Sequence, residues 1–233
     1  MARLEFWLKV LAPLGLLLLL VGWWLNWTLA RPVGQVAIYG EVEYTDLIKL
    51  QERALPWLND PFWRVDLQGL KASLEQDPWL RSVTVRRHWP DQIRLELIER
   101  SPWAHWNNNY LIDKQGVGFN PGFKYTQDLE RHIYSKKDTL AEVVKFWQDL
   151  DALLTESGLQ LTELHHEQRG AWQVELNASF RVLIGRDNIV TRIDRFVWAW
   201  QYWLSAEAES VASVDLRYPN GLSVAWRKSA NKQ

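Results

Sequence analysis

Apolar and polar residues alternate in two runs between Asp77 and Pro102. Val83 and Val85 sit among Ser82, Thr84 and Arg86, and Ile93, Leu95 and Leu97 are separated by Arg94 and Glu96. A period of two places one face of a strand in a core and the other in water. Trp89-Pro90-Asp91-Gln92 between the runs has turn chemistry, because proline fixes φ at the second turn position and aspartate suits the next. The pattern predicts a β-hairpin. Upstream, Gln35–Tyr39 reads as a short apolar strand ending at Gly40. Asp46–Leu55 reads as a helix with Leu47, Ile48, Leu50, Ala54 and Leu55 on or near one face, ended by Pro56. Asp66 is the expected cap of a second helix carrying Leu67, Leu70 and Leu74, which Asp77-Pro78 stops. Two helices can cover one face of a three-stranded sheet, so residues 33–101 are expected to form a small α+β module.

Ser101-Pro102 marks the expected boundary of a second, mixed α+β domain over 102–227, with a tail at 228–233. Tyr110–Phe119 predicts two short strands around an Asp-Lys-Gln-Gly turn. Asn120–Lys137 is polar and has no clear period. Thr139–Ser157 predicts a helix with Thr139 and Glu142 as a capping box and a stripe of Leu140, Val143, Val144, Trp147, Leu150 and Leu154. Strands are expected near Gln160–His165, Trp172–Leu176 and Phe180–Ile184. A second long helix, Ile189–Leu204, carries Ile189, Ile193, Phe196, Val197, Trp200, Trp203 and Leu204 on its core stripe. The last strands form a hairpin around Pro219-Asn220-Gly221, and the final strand is a candidate open sheet edge.

From Val10 to Ala30 there is no charged residue; Trp23, Trp24 and Trp27 gather at the C-terminal end of the stretch, and Trp7 lies at the other. About 20 apolar residues suffice to span a bilayer core. The expectation is a single transmembrane signal anchor over 10–30 behind a cytoplasmic tail of 1–9. A cleaved signal peptide is the competing reading, but its apolar region would be shorter, and Thr28-Leu29-Ala30 is a poor cleavage site.

Composition narrows the chemistry. The net charge of −1 gives no electrostatic case for nucleic acid. The absence of cysteine excludes disulfides, thiol nucleophiles and thiolate metal sites. His165-His166-Glu167 resembles a ligand cluster, but neighbours in a strand point to opposite faces. No phosphate-binding or nucleophile-elbow sequence occurs, and the carboxylates are scattered. The reading is therefore a non-enzymatic protein without cofactor or metal. Sixteen tryptophans are far above ordinary usage. Most fall on core stripes or in the apolar N-terminal segment, and Trp79 and Trp89 are expected to close the core of the first hairpin. Trp198 and Tyr202, four apart, point away from the stripe of their helix, which makes them a candidate partner-facing patch.

Four segments in order resemble the FtsQ family of bacterial cell-division proteins. They are Phe62-Trp63-Arg64-Val65-Asp66; Asp77–Pro102; Trp172–Arg186 followed by Arg195-Phe196; and Val214–Trp226. The resemblance implies a POTRA domain followed by a β-domain, both periplasmic, behind a single-pass inner-membrane anchor. It implies a scaffold of the divisome at the septum that binds FtsB and FtsL, meets other division proteins through POTRA, and helps recruit and regulate septal peptidoglycan synthesis. It marks Arg169, Arg217, Tyr218, Asn220, Gly221 and Trp226 as candidate contacts for FtsB, which would add a strand to the C-terminal strand. Gly221 is expected either to take positive φ or to let a backbone approach closely. The competing function is a peptidoglycan-binding or peptidoglycan-modifying envelope protein. That reading requires exposed tryptophan rows or a carboxylate pair in a cleft.

Overall fold

The computed structural model describes residues 14–24, 31–122, 125–177 and 179–227. Helix α1 covers 14–24. Its eleven residues correct the expectation of a membrane-spanning helix over 10–30. At 1.5 Å per residue such a helix rises about 16 Å, roughly half a hydrocarbon core. No helix among the described residues is long and apolar enough to cross a membrane. The expected tails at 1–9 and 228–233, and Trp7 and Trp27, lie outside the described residues.

The chain divides into two compact units between Arg100 and Ser101. The first contains β1 (Gln35–Tyr39), α2 (Leu47–Ala54), a short 3-10 turn (Leu55–Leu58), α3 (Leu67–Leu74), β2 (Leu80–His88) and β3 (Gln92–Glu99). Strand β3 is central, parallel to β1 and antiparallel to β2. Both helices start on aspartate caps. Asp46 accepts from the Ile48 and Lys49 amides, and Asp66 from those of Gln68 and Gly69. Leu50 and Ala54 of α2 and Leu70 and Leu74 of α3 meet Val83, Ile93, Leu95 and Leu97 of the sheet in one core.

The Glu99 carboxylate closes the 43–45 loop, accepting the amides of Glu43, Tyr44 and Thr45 at 2.8, 3.1 and 2.6 Å. Arg87 likewise holds the carbonyls of Phe62, Trp63 and Val65. Two expectations need correction. Leu47, Ile48 and Leu55 are exposed. Ile48 lies two positions, about 200°, from buried Leu50, and Leu55 has already entered the 3-10 turn. Trp89 is also exposed, at the hairpin tip beyond the core, whereas Trp79 is buried and stacks on Tyr44 at 4.5 Å.

The second unit holds β4 (Ala104–Trp106), β5 (Tyr110–Ile112), β6 (Gly118–Phe119), β7 (His132–Tyr134), α4 (Leu140–Thr155), β8 (Leu161–His166), β9 (Trp172–Leu176), β10 (Phe180–Gly185), α5 (Ile189–Tyr202), β11 (Val211–Asp215) and β12 (Ser223–Trp226). They form one mixed sheet in the order β12-β11-β10-β9-β8-β7-β4-β5-β6. The predicted stripe of α4 is buried throughout, joined by Ile193, Phe196, Trp200 and Leu204 from α5 and its C-terminal extension. Asp113 is buried in the turn after β5 and accepts the amides of Gln115 and Val117 at 3.0 and 2.9 Å.

Three features differ from the sequence pattern. The Thr139 capping box does not form: Thr139 closes a 3-10 turn, and its hydroxyl donates to the Lys136 carbonyl at 3.1 Å. Trp203 is exposed because α5 ends at Tyr202 and Trp203 leaves helical φ/ψ. Strands β4 and β7 arise where no strand was expected, and β7 lies in the polar stretch 120–137. They pair with each other in parallel, and β7 pairs in parallel with β8.

Candidate partner-binding edge

Strand β12 is the terminal strand of the nine-stranded sheet among the described residues, so one side of it is unpaired. On its other side it runs antiparallel to β11, with Val224 opposite Val214 and Trp226 opposite Val211. The Arg227 amide donates inward to the Ser210 carbonyl at 2.7 Å. Alternation along the strand then turns the main-chain N–H and C=O groups of Val224 and Trp226 outward. A free edge of this kind can accept another strand.

The loop from β11 to β12 is held from beneath by α5. Arg195 donates to three carbonyls of that loop: Nη1 to Tyr218 at 3.0 Å and Gly221 at 2.6 Å, and Nη2 to Pro219 at 3.0 Å. One turn earlier, Arg192 donates to the carbonyls of Ile184 at 2.8 Å and Arg217 at 3.2 Å. Gly185 makes room for this. It has φ +83, and a Cβ there would lie 2.6 Å from Arg192 Nη1. Arg192 and Arg195 were not among the candidate site residues. Their sequence signal is a pair of arginines three apart on the helix that precedes the last hairpin.

Arg217 is fastened as well. Its Nε and Nη2 grip Asp215, the shortest contact being 2.7 Å, and its amide donates to the same carboxylate. Hydrogen bonds from the Arg217 side chain hold the Asp215 carboxyl below its ordinary range, against the upward push of partial burial. The same side-chain hydrogen bonding raises Arg217, and the charge of Glu167 adds to the shift. Glu167 belongs to the β8–β9 turn, closed by its N–H to the Ala171 carbonyl at 2.9 Å. That turn carries Arg169, which is exposed and has no ion pair among the described residues.

The candidate residues therefore fall into three places. Arg169, Arg217, Tyr218, Asn220 and Gly221 lie in the turn and loop at one end of strands β8 to β12. Tyr218 and Asn220 are exposed. Gly221 does not take positive φ, and a Cβ there would meet nothing within 4 Å, so neither expected reason for glycine holds. Arg195 supplies the restraint that a left-handed glycine would otherwise provide. Trp226 lies at the opposite end of β12, half exposed. Trp198 and Tyr202 are exposed on α5, at 58 % and 71 %, with ring centroids 5.0 Å apart. They follow Arg195 at spacings of three and seven, which places them on the helix face that reaches toward the β11–β12 loop.

The His165-His166 pair splits between two neighbours. His165 stacks on Tyr134 at 4.3 Å and His166 on Trp172 at 4.1 Å. Among the described residues no group of three or more His, Asp or Glu side chains is placed to hold a metal ion.

Comparison with known proteins follows the two units. A family model described as the POTRA domain, FtsQ-type, matches residues 31–100. A second, described as Cell division protein FtsQ/DivIB, C-terminal, matches 104–217 and so stops short of β12. The cell division protein FtsQ of Neisseria gonorrhoeae is 31% identical over 229 residues, covering 96% of this chain and 91% of that protein. That of Neisseria meningitidis is 31% identical over 231 residues, covering 97% and 95%. That of Escherichia coli is 27% identical over 237 residues, covering 97% and 84%. With both units matched, and with relatives aligned over nearly its full length, this chain belongs to the FtsQ family of cell division proteins.

Proposed function

We propose that this protein is a non-enzymatic scaffold of the divisome, acting at the septum on the periplasmic face of the inner membrane. Its second unit takes up an extended segment of FtsB, together with FtsL, as an added strand on β12. The POTRA unit contacts other division proteins. Through these contacts the scaffold recruits and regulates septal peptidoglycan synthesis. The observation that carries this reading is the open edge of β12, beside a loop whose carbonyls are already fixed by Arg195. Added main-chain bonds would supply affinity, and side-chain contacts would supply register. Tyr218 and Trp226 are amphipathic anchors at the two ends of the edge, and Arg169, without an ion pair among the described residues, is a cation for an acidic partner residue.

The test is co-purification of FtsB with the full chain and with Tyr218→Ala and Trp226→Ala. Both side chains are exposed, so the variants should fold as the parent does by circular dichroism. Binding should fall about tenfold or more, as expected for interface anchors. Folded variants that both retain parental affinity would overturn the β12 assignment.

A further inference from the structure

The first unit has an open edge of its own with a different character. Strand β1 ends the three-stranded sheet and pairs only with β3 among the described residues. Its sequence, QVAIY, has no charge, proline or glycine. Exposed edges are normally guarded by such residues. The opposite edge of the same sheet is guarded in this way, since β2 exposes Arg81, Arg86, Arg87 and His88. On β1, Val36, Ile38 and Tyr39 are instead 38 %, 41 % and 48 % exposed. Val36 and Ile38 lie in register with Ile93 and Leu95, both buried under the helices. The helical layer thus covers β3 and leaves the same face of β1 bare.

We infer that β1 pairs antiparallel with β1 of a second copy of this chain. The Gly34 and Gln35 amides both donate to the Asp91 carbonyl, at 2.8 and 3.4 Å, and with Gln35 opposite Gln92 in the parallel pair this turns the main-chain groups of Gln35, Ala37 and Tyr39 toward β3 and those of Val36 and Ile38 toward the open side. A two-fold axis through Ala37 matches the open groups with their own copies. It sets Val36 against the partner's Ile38 on the helix side and Gln35 against the partner's Tyr39 on the other. No charge meets a like charge, and the pattern is complementary to itself, as an isologous contact requires. Stable interfaces bury about 1,600 Å² in total, more than one short strand pair provides. The dimer is therefore weak and forms where chains are crowded.

Because the chain contains no cysteine, a single introduced thiol reports without background. Full-length Ala37→Cys, produced in cells and treated with a short bis-maleimide, should yield a product of twice the monomer mass. Adding Ile38→Lys should cut that yield about tenfold, because it sets a charge against an apolar side chain. Ile38 is exposed, so circular dichroism should show the fold intact. Ile48→Cys, on the exposed side of α2, should give little dimer. Three results would each overturn the inference: no dimer from Ala37→Cys, a cross-link only to a protein of another mass, or equal dimer from Ile48→Cys. The outcome is separable from the reading of β12, because FtsB binding should be unchanged in Ile38→Lys.

Discussion

Two arginines of α5 shape the candidate edge. Arg195 gathers the carbonyls of Tyr218, Pro219 and Gly221, and Arg192 those of Ile184 and Arg217. A planar guanidinium can serve several acceptors at once, which an ammonium on a flexible stem does poorly. Arg195→Ala should destabilise the second unit by about 1–2 kcal/mol, the net value of a few partly solvated bonds to a charged donor. Hydrogen exchange at the β12 amides should rise, and affinity for FtsB should fall. Arg195→Lys should give smaller changes in the same direction. Asp215 adds a pH dependence. Its folded pKa is lowered, so its contribution is fully present above the unfolded value of about 3.9 and is lost as pH falls through the folded value. Thermal midpoints measured from neutral pH downward should therefore fall less in Asp215→Asn than in the parent over that acid window.

At the scale of elements, the periodic segments were legible in the sequence and the unperiodic ones were not. Strands β2 and β3 follow from alternation, β1 from a short apolar run, and the stripe of α4 from helical spacing. Strands β4 and β7 have three residues each and make their pairings through distant neighbours. No local pattern could announce them. The exposed side of α5 was legible too, because Trp198 and Tyr202 fall off its stripe. What the sequence could not reveal is that Arg195, on the same side, ties that face to the β11–β12 loop. The aromatic pair is therefore expected to act with the edge. Trp198→Ala and Tyr202→Ala should leave thermal stability within about 0.5 kcal/mol of the parent, as exposed substitutions do, while lowering affinity for FtsB severalfold in a titration. Unchanged affinity in both would confine the interface to β12 and its loop.

At the scale of the molecule, the two hydrophobic cores share no buried residue among the described residues. One is built from Leu50, Phe62, Leu70, Leu74 and the three-stranded sheet, and the other from α4, α5 and the nine-stranded sheet. Hydrophobic stabilisation comes from area removed from water within each core, so a cavity opened in one should weaken that unit. Leu70 and Leu164 are both fully buried, one in each core. Leu70→Ala should cost the first unit about 2–5 kcal/mol, and Leu164→Ala should cost the second a similar amount. Two consequences separate the units experimentally. Hydrogen exchange in Leu70→Ala should accelerate at β2 and β3 while the amides of β8 to β11 keep their protection, and Leu164→Ala should do the reverse. Binding of FtsB should survive Leu70→Ala and weaken in Leu164→Ala, because β12 belongs to the sheet of the second unit. If Leu70→Ala abolished FtsB binding while the second unit kept its exchange protection, the contact would have to include the first unit, and β12 alone would no longer account for it.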